Sequence, residues 1–408
     1  MERFDVVVVG AGLAGLQATR LLARRGVRVL LADRKNSLED GVHTTGIFVR
    51  RTLEDFDLPR DCLGPAVRRV RLYSPARRTQ DLESAHDEFR VGRMGRLYAR
   101  LLEECLEARA SWSPATRYLG LEKARADDAT DDHLRGGGAR HEEGRGSVVL
   151  LERAGVTRRV GARYVIGGDG ARSRVARDLG LDENREWIVG VEDVFRGVPP
   201  EGEPCFHCFL DPRLAPGYLA WVVCDGEETH AGVGGYAGRF DPARALEEFR
   251  AEVARTFDFT RARRVERRGG RIPVGGVLRR IANTRGLLVG DAAGAVSPLT
   301  AGGLDPCMRL SNLAAEVVAE YLATGNPASL ARYSGSQFRA RFVSRLWMRK
   351  ALSSIRSPAL LEAACAVSRL APFDALARHV FFGRGSFPDM APARLKRGQA
   401  AAVLPKEC

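Results

Sequence analysis

Residues 5–33 read DVVVVGAGLAGLQATRLLARRGVRVLLAD, and few stretches restrict a fold as tightly. DVVVVG is an unbroken apolar run, the pattern of a parallel strand covered on both faces. LAGLQATRLLARRG carries apolar residues at helical spacing and stops at Gly26. VRVLLAD is a second strand. Between strand and helix lie Gly10, Ala11, Gly12, Leu13, Ala14 and Gly15. Gly10 permits a tight turn, Gly12 lets a pyrophosphate approach the backbone, and Gly15 lets helix and strand pack closely. The helix N-terminus then faces the phosphates. Asp33 ends the second strand eighteen residues after Gly15, where an acid can take ribose hydroxyls. An acid there disfavours a 2′-phosphate. The pattern alone does not separate NAD from FAD.

A second stretch, GLLVGDAAGAVSPLTAGGLDP at 286–306, has the same logic. A short apolar run ends in Gly290 and Asp291, and bulk then all but disappears. The following CMRLSNLAAEVVAEYLATG places Cys307, Leu310, Ala314, Val317 and Tyr321 on one helical face, with Pro306 in its first turn and Gly325 at its exit. The small residues therefore lie between a strand end and a helix N-terminus. A flat ring can rest there against backbone, its anionic edge toward amide hydrogens and the helix dipole. Asp291 can accept hydrogen bonds from a sugar-like chain, or can simply cap the turn.

The rest of the chain bounds the possibilities. At 408 residues it can hold two or three domains. No apolar run approaches the ~20 residues that span a bilayer. MERFDVVVVGAG starts its strand almost at once, which leaves no room for a signal or transit peptide; the expectation is a cytoplasmic protein. The net charge is +13, but its arginines are dispersed and only five lysines occur. No basic run interleaved with aromatics appears, and nucleic-acid binding is not expected. The eight cysteines are scattered and read as free thiols. CFHC, Cys205 to Cys208, lacks a second pair to complete a metal site and reads as a packed strand; no metal is expected.

RYVIGGDGARSRVARDLG repeats strand, turn and helix, and GRMGRLYARLLEECLEARA at 92–110 is an amphipathic helix. Residues 124–147 are charged, glycine-rich and nearly free of apolar side chains, the composition of a loop between two strands. From 186 to 267 short β-like runs such as CFHCFL, GYLAWVVC and THAGVGGY alternate with Pro and Gly turns. The expected architecture is α/β: a Rossmann-type dinucleotide domain, 1–185 and 268–330, with an antiparallel sheet domain inserted at 186–267 and a helical C-terminal region at 331–408.

Three separated motifs, GAGLAG with Asp33, VIGGDGARSRVAR, and LLVGDAAGAVSPLTAGGL, resemble one flavoprotein group. Over roughly residues 1–330 the chain is similar to the geranylgeranyl reductase-like FAD-dependent oxidoreductases, kin to the para-hydroxybenzoate hydroxylase-type monooxygenases. The resemblance implies FAD as cofactor and NAD(P)H as electron donor. It places Ala14 and Asp33 at the ADP part, Arg93 near the phosphates or ribityl chain, and Asp169 beside the pyrophosphate on the approach path of the nicotinamide donor. Asp291 would bind ribityl hydroxyls, and Gly303 and Leu304 would line the pyrimidine edge through backbone. The plain alternatives are a surface helix arginine for Arg93 and a turn carboxylate for Asp169.

Two departures matter. Some geranylgeranyl reductases carry a Cys-Gly pair beside the flavin, where this chain has Thr45-Gly46 in GVHTTGIFVRRTLEDF. Thr44 and Thr45 either hydrogen-bond the ring or are turn residues. The family's YxWxFP strand survives only in part, as PGYLAWVVC. On a regular strand Tyr218 and Trp221 would point to opposite faces, so one of them, expected to be Trp221, faces the pocket. Halogenases are also relatives, but their catalytic lysine has no counterpart between Lys35 and Lys123.

The expected activity is reduction of carbon–carbon double bonds in an isoprenoid or lipid-like substrate. Its rivals are a flavin monooxygenase, a non-catalytic flavin or lipid binder, and a colourless NAD dehydrogenase. Catalytic candidates are Thr44, Thr45 and Trp221, with His43 and His207 added as proton donors. The partner is a small hydrophobic molecule. YSGSQFRARFVSRLWMRKALSSIR at 333–356 contains no acid, and a basic amphipathic helix of this kind can also touch anionic membrane. Its alternative is a helix docked on the enzyme.

Overall fold

Valine-rich Glu2–Val9 sits at the centre of a seven-stranded sheet, pairing in parallel with Val29–Ala32 on one side and Val156–Gly167 on the other. Val6, Val7 and Val8 are wholly buried, as a strand covered on both faces requires. The structure is a computed structural model and describes residues 1–123, 146–200, 202–370 and 373–383. Gly286–Leu288 joins the carboxyl half of Val156–Gly167 in parallel, while Ser147–Arg153 and Thr116–Lys123 extend the sheet as antiparallel strands. The charged glycine-rich stretch read as a loop lies, apart from its last two residues, outside the described residues.

The helix Leu13–Ala23 packs on this sheet beneath the long helix Leu304–Thr324, with Gln17 Nε2 donating to Asn312 Oδ1 at 2.7 Å. Both helices therefore start at the same end of the sheet, beyond the strand termini at Val9 and Leu288. Ligands of open α/β sheets bind beyond such strand ends.

The second sheet also has seven strands. Arg263–Pro273, Trp187–Arg196, Glu228–Gly235, Ala220–Cys224 and Cys205–Phe209 run antiparallel in that order. Its last two strands come from far earlier in the chain. Arg69–Tyr73 pairs in parallel with Cys205–Phe209, and Thr79–Glu83 closes the edge. The boundary expected at 186–267 is thus too narrow, because strand length extends the sheet to Pro273 and pairing recruits 69–83. Helix Pro242–Val253, capped by Asp241 Oδ1 on the amides of Ala243 and Arg244, covers the outer face with Leu246, Phe249 and Val253. A small sheet of Ile47–Val49, Phe89–Gly92 and Leu63–Val67 lies between the two large ones.

The C-terminal region is helical, but its basic segment is two helices, Gly335–Ala340 and Val343–Ser354. Phe338 and Phe342 are 4% and 1% exposed, so the bend docks its aromatic side chains into the first domain's core. Arg349 is buried between the rings of Tyr218 and Tyr236 and ties this region to the second sheet.

Candidate active site

One cavity of about 1260 Å³ runs between the two large sheets. That exceeds the ~300–1,000 Å³ of an ordinary small-molecule pocket and leaves room for a dinucleotide and a second ligand. At one end the wall is backbone. Gly10 has φ +100°, and a Cβ there would stand 2.3 Å from Gly168 O. A Cβ on Gly12 would meet no protein atom within 4 Å and would project into free space. Gly15 does not line the cavity; its missing Cβ lets helix Leu13–Ala23 sit against Gly10 O. Ala14 lines the wall.

Asp33 lies at this end. Its Oδ2 accepts from the amide of Ala11 at 2.7 Å and its Oδ1 from that of Lys35 at 2.8 Å. A carboxylate has about four acceptor positions, so capacity for ribose hydroxyls remains. Asp291 is different. It lines the cavity, and its carboxylate has no hydrogen bond among the described residues; only its backbone oxygen is held, by Asn184. Burial without a partner raises its pKa to about 6. A buried acceptor facing free space fits the hydroxyl-bearing ribityl chain of FAD. Gly303 and Leu304 open helix Leu304–Thr324 with no side-chain cap, leaving its first amides directed at the cavity. The glycine turn, the two carboxylates and the helix amides therefore fit the pyrophosphate, ribose and ribityl parts of FAD.

Two of the expected cofactor residues are engaged within the protein, and one of them, Arg93, lies away from the cavity. Arg93 does not line the cavity; its Nη1 donates to Asp61 O at 3.0 Å, its Nη2 to Asp225 O at 3.2 Å, and its Nε faces Glu227 at 3.1 Å. As residue 93 precedes helix Met94–Glu107, its side chain turns outward to the 225–228 turn. Asp169 does line the cavity, but both oxygens serve the short helix Arg174–Asp178: Oδ1 accepts from Ser173 Oγ, and Oδ2 from the amides of Arg174 and Val175. Its carboxylate orders this turn while facing the cavity.

The opposite wall is built of side chains. Thr44, Thr45 and Gly46 reach the cavity from the segment before Ile47–Val49. Gly46 has φ +85°, and a Cβ there would collide with Met94 at 2.6 Å. Thr44 Oγ1 accepts from the amide of Gly46, so it serves the turn. Thr45 Oγ1 donates to Glu192 Oε2 at 2.6 Å. Trp221 Nε1 donates to the same oxygen at 3.2 Å. Tyr218 and Trp221 both line the cavity, against expectation, because the strand begins only at Ala220 and alternation does not reach Tyr218. Tyr218 is fixed by its hydroxyl on Thr300 O at 2.7 Å.

Sequence reasoning did not single out Glu192 or His230. Both are almost inaccessible. His230 Nδ1 stands 3.5 Å from Glu192 Oε1, and its Nε2 3.7 Å from Asp225 Oδ2. Burial alone would push the imidazole pKa down, but the two carboxylates raise it to about 9. Burial opposes ionisation of Glu192 too, yet His230, Thr45 and Arg268 hold its carboxyl below the usual range. The available signal was WIVGVEDVFR, an acid in step with Ile188 and Gly190 on an apolar strand. Of the other candidates, His43 lines the cavity, whereas His207 is buried against Tyr73 outside it, and burial followed by Arg71 and Arg69 lowers its pKa to about 4. Asp225, Glu228 and His230 bring ligand atoms within 4.8 Å of one another. However, Asp225 Oδ1 already serves two amides and Glu228 pairs with Arg196.

Comparisons with known proteins bear on the same residues. The family model described as an FAD binding domain matches residues 3–68 and 124–349. A digeranylgeranylglycerophospholipid reductase of Methanopyrus kandleri is 31% identical over 334 residues, covering 78% of this chain and 77% of its own. Another protein of that name, from Methanosarcina acetivorans, is 28% identical over 337 residues, with 79% and 77% covered. The crystal structure of a geranylgeranyl bacteriochlorophyll reductase-like protein from Thermoplasma acidophilum superposes with a TM-score of 0.76 at 20% identity, covering 93% of this chain and 100% of that one.

Proposed function

The chain belongs to the geranylgeranyl reductase-like family of FAD-dependent oxidoreductases, and on that premise we propose that it reduces carbon–carbon double bonds of an isoprenoid lipid with electrons from NAD(P)H. The observation that carries this reading is the continuity of the cavity. It runs without interruption from Asp33, past Gly290 and Gly303, to an apolar end lined by Ile47, Phe206, Leu219, Trp221 and Phe381. A long hydrocarbon can lie there with one double bond over the stretch that accepts the flavin ring.

FAD, when bound, supplies the hydride chemistry. The protein's residues do the rest. Asp33 and Asp291 hold hydroxyls, the amides opening helix Leu304–Thr324 stabilise negative charge, and the apolar wall excludes water.

Among the described residues no helix is long and apolar enough to cross a membrane. Large exposed apolar side chains nevertheless gather on the C-terminal helices: Trp347, Leu360, Leu370, Phe373 and Leu376. Exposed Arg341, Lys350 and Arg356 lie in the same region, and Val380–Gly383 form part of the cavity wall. This face rests on the anionic inner surface of the cytoplasmic membrane and takes its substrate from there. The test is anaerobic reoxidation of the reduced holoenzyme by digeranylgeranylglycerophospholipid, with mass analysis of the lipid. A gain of two hydrogens per turnover is expected. Oxygen-dependent turnover with an oxygenated product would replace the reading by a monooxygenase, and reoxidation no faster than in buffer would leave a binding protein.

A further inference from the structure

We propose that Thr45 delivers the proton of the reduction and that Glu192, fed by His230 and Asp225, replaces it. The inference rests on the reading above and assigns the one chemical role it leaves open. A hydride passed from reduced flavin to one carbon of a double bond needs a proton at the other. Thr45 offers a hydroxyl on the cavity wall, next to Gly46, and its oxygen lies 2.6 Å from Glu192 Oε2. Behind Glu192 the chain of ionisable groups continues away from the cavity to His230 and then to Asp225. Asp225 opens the turn that holds exposed Gly226 and Glu227, so the chain ends beside solvent.

Three features separate this arrangement from a structural ion pair. Both nitrogens of His230 and Oε1 of Glu192 are buried without a hydrogen-bond partner. At 3.5 and 3.7 Å the imidazole is close enough to both carboxylates to hold charge, and too far for settled hydrogen bonds. The formal charges of Glu192, Asp225, His230 and Arg268 also sum to zero, and a proton moving from His230 to Glu192 keeps that sum. The other charged groups facing the cluster are few. Arg268 Nη1 is 3.7 Å from Glu192 Oε1, Glu266 holds Arg268 Nε, and Arg93 meets Asp225 at its backbone oxygen while its Nε pairs with Glu227.

The step balances as follows. The hydride carries two electrons and one hydrogen to one carbon; the Thr45 hydroxyl rotates its hydrogen from Glu192 Oε2 toward the cavity, and its O–H bond breaks as that proton bonds to the other carbon. Thr45 Oγ1 recovers a proton from the Glu192 carboxyl, which has taken it from His230 at Oε1 and turned to present it at Oε2. Imidazole is reprotonated from solvent past Asp225. A water held by Thr44 or His43 would need none of these groups.

The test uses the FAD-loaded protein and the variants Glu192→Gln, Thr45→Val and Thr45→Ser. Flavin reduction by NAD(P)H should stay within about twofold of wild type in all three. Lipid-driven reoxidation should fall about 100-fold or more in Glu192→Gln and Thr45→Val, the scale of a lost general acid, and recover in Thr45→Ser. The alkaline limb of its pH profile, set by His230, should vanish in Glu192→Gln. An activity-independent readout is the nitrogen NMR titration of His230. It should stay doubly protonated well above pH 7 in wild type and titrate lower in Glu192→Gln. Equal loss in both half-reactions, or an unchanged pH profile in Glu192→Gln, overturns the relay. A His230 that titrates alike in both proteins does so too. If wild type is never reoxidised by the lipid, the substrate reading fails, and the NMR titration still decides whether the charged chain exists.

Discussion

The cavity's two walls are made of different material. The wall from Asp33 to Asp291 is mostly backbone, with Gly10, Gly12, Gly290 and Gly303 letting a flat ligand lie against amides. The facing wall is mostly side chain, with Tyr218, Leu219 and Trp221 presented by one hairpin and Glu192 by the neighbouring strand. A backbone wall recognises what every L-amino-acid chain can offer, so it suits a cofactor shared by many reactions. A side-chain wall can be rewritten residue by residue without moving the cofactor. Binding FAD and choosing the reaction are therefore separable in this molecule, and substitutions on the two walls should fail in different ways.

The largest effect is expected on the backbone wall. Gly10→Ala puts a Cβ 2.3 Å from Gly168 O at φ +100°. Strain and clash together should weaken FAD by about 100-fold or more, read as loss of flavin absorbance after gel filtration. A stoichiometrically yellow variant would break the comparison. Next comes the side-chain wall's stored charge. The pKa of His230 is raised from 6.5 to about 9 in the folded protein. Its contribution is thus complete below pH ~6.5 and lost as pH rises through 9, on the order of 3 kcal/mol. Thermal melts should show wild type losing stability over that window while His230→Gln loses less. A parallel loss in both would show that the buried charge contributes nothing.

Asp291→Ala removes the unpartnered carboxylate and should weaken FAD about 10-fold to 100-fold, measured by quenching of flavin fluorescence. The wild-type affinity should also rise as pH increases through about 6, where the carboxyl ionises and becomes a better acceptor. That dependence should be absent from the variant. The smallest expected effect is Trp221→Phe, which forfeits the bond to Glu192 Oε2 at a cost of about 1 kcal/mol. FAD affinity should not change, and the Michaelis constant for lipid should rise; a change in FAD affinity would merge the two walls.

These walls were also unequally legible. Glycines that approach a dinucleotide cannot be replaced, so GAGLAG and the small residues around Asp291 announce themselves in one dimension. The side-chain wall depends on pairing between distant segments. Glu192 meets Thr45 and His230 only once the second sheet is assembled, and no spacing in the chain encodes that meeting. Tyr218 was misread because alternation was carried past the end of its strand. Arg93 was misplaced because a position before a helix does not specify which way a long side chain turns. The basic segment after Tyr333 was read as one amphipathic helix, whereas Phe338 and Phe342 bury at a bend that only tertiary packing creates.

The parallel pairing of Arg69–Tyr73 with Cys205–Phe209 has a practical consequence for anyone wishing to alter specificity. The sheet behind the side-chain wall is stitched from two separate lengths of polypeptide, two strands from one and five from the other. Grafting 187–273 alone from a homologue would set foreign residues along that seam and mismatch their registers. A working chimaera has to exchange 69–83 with it, as a single inherited unit.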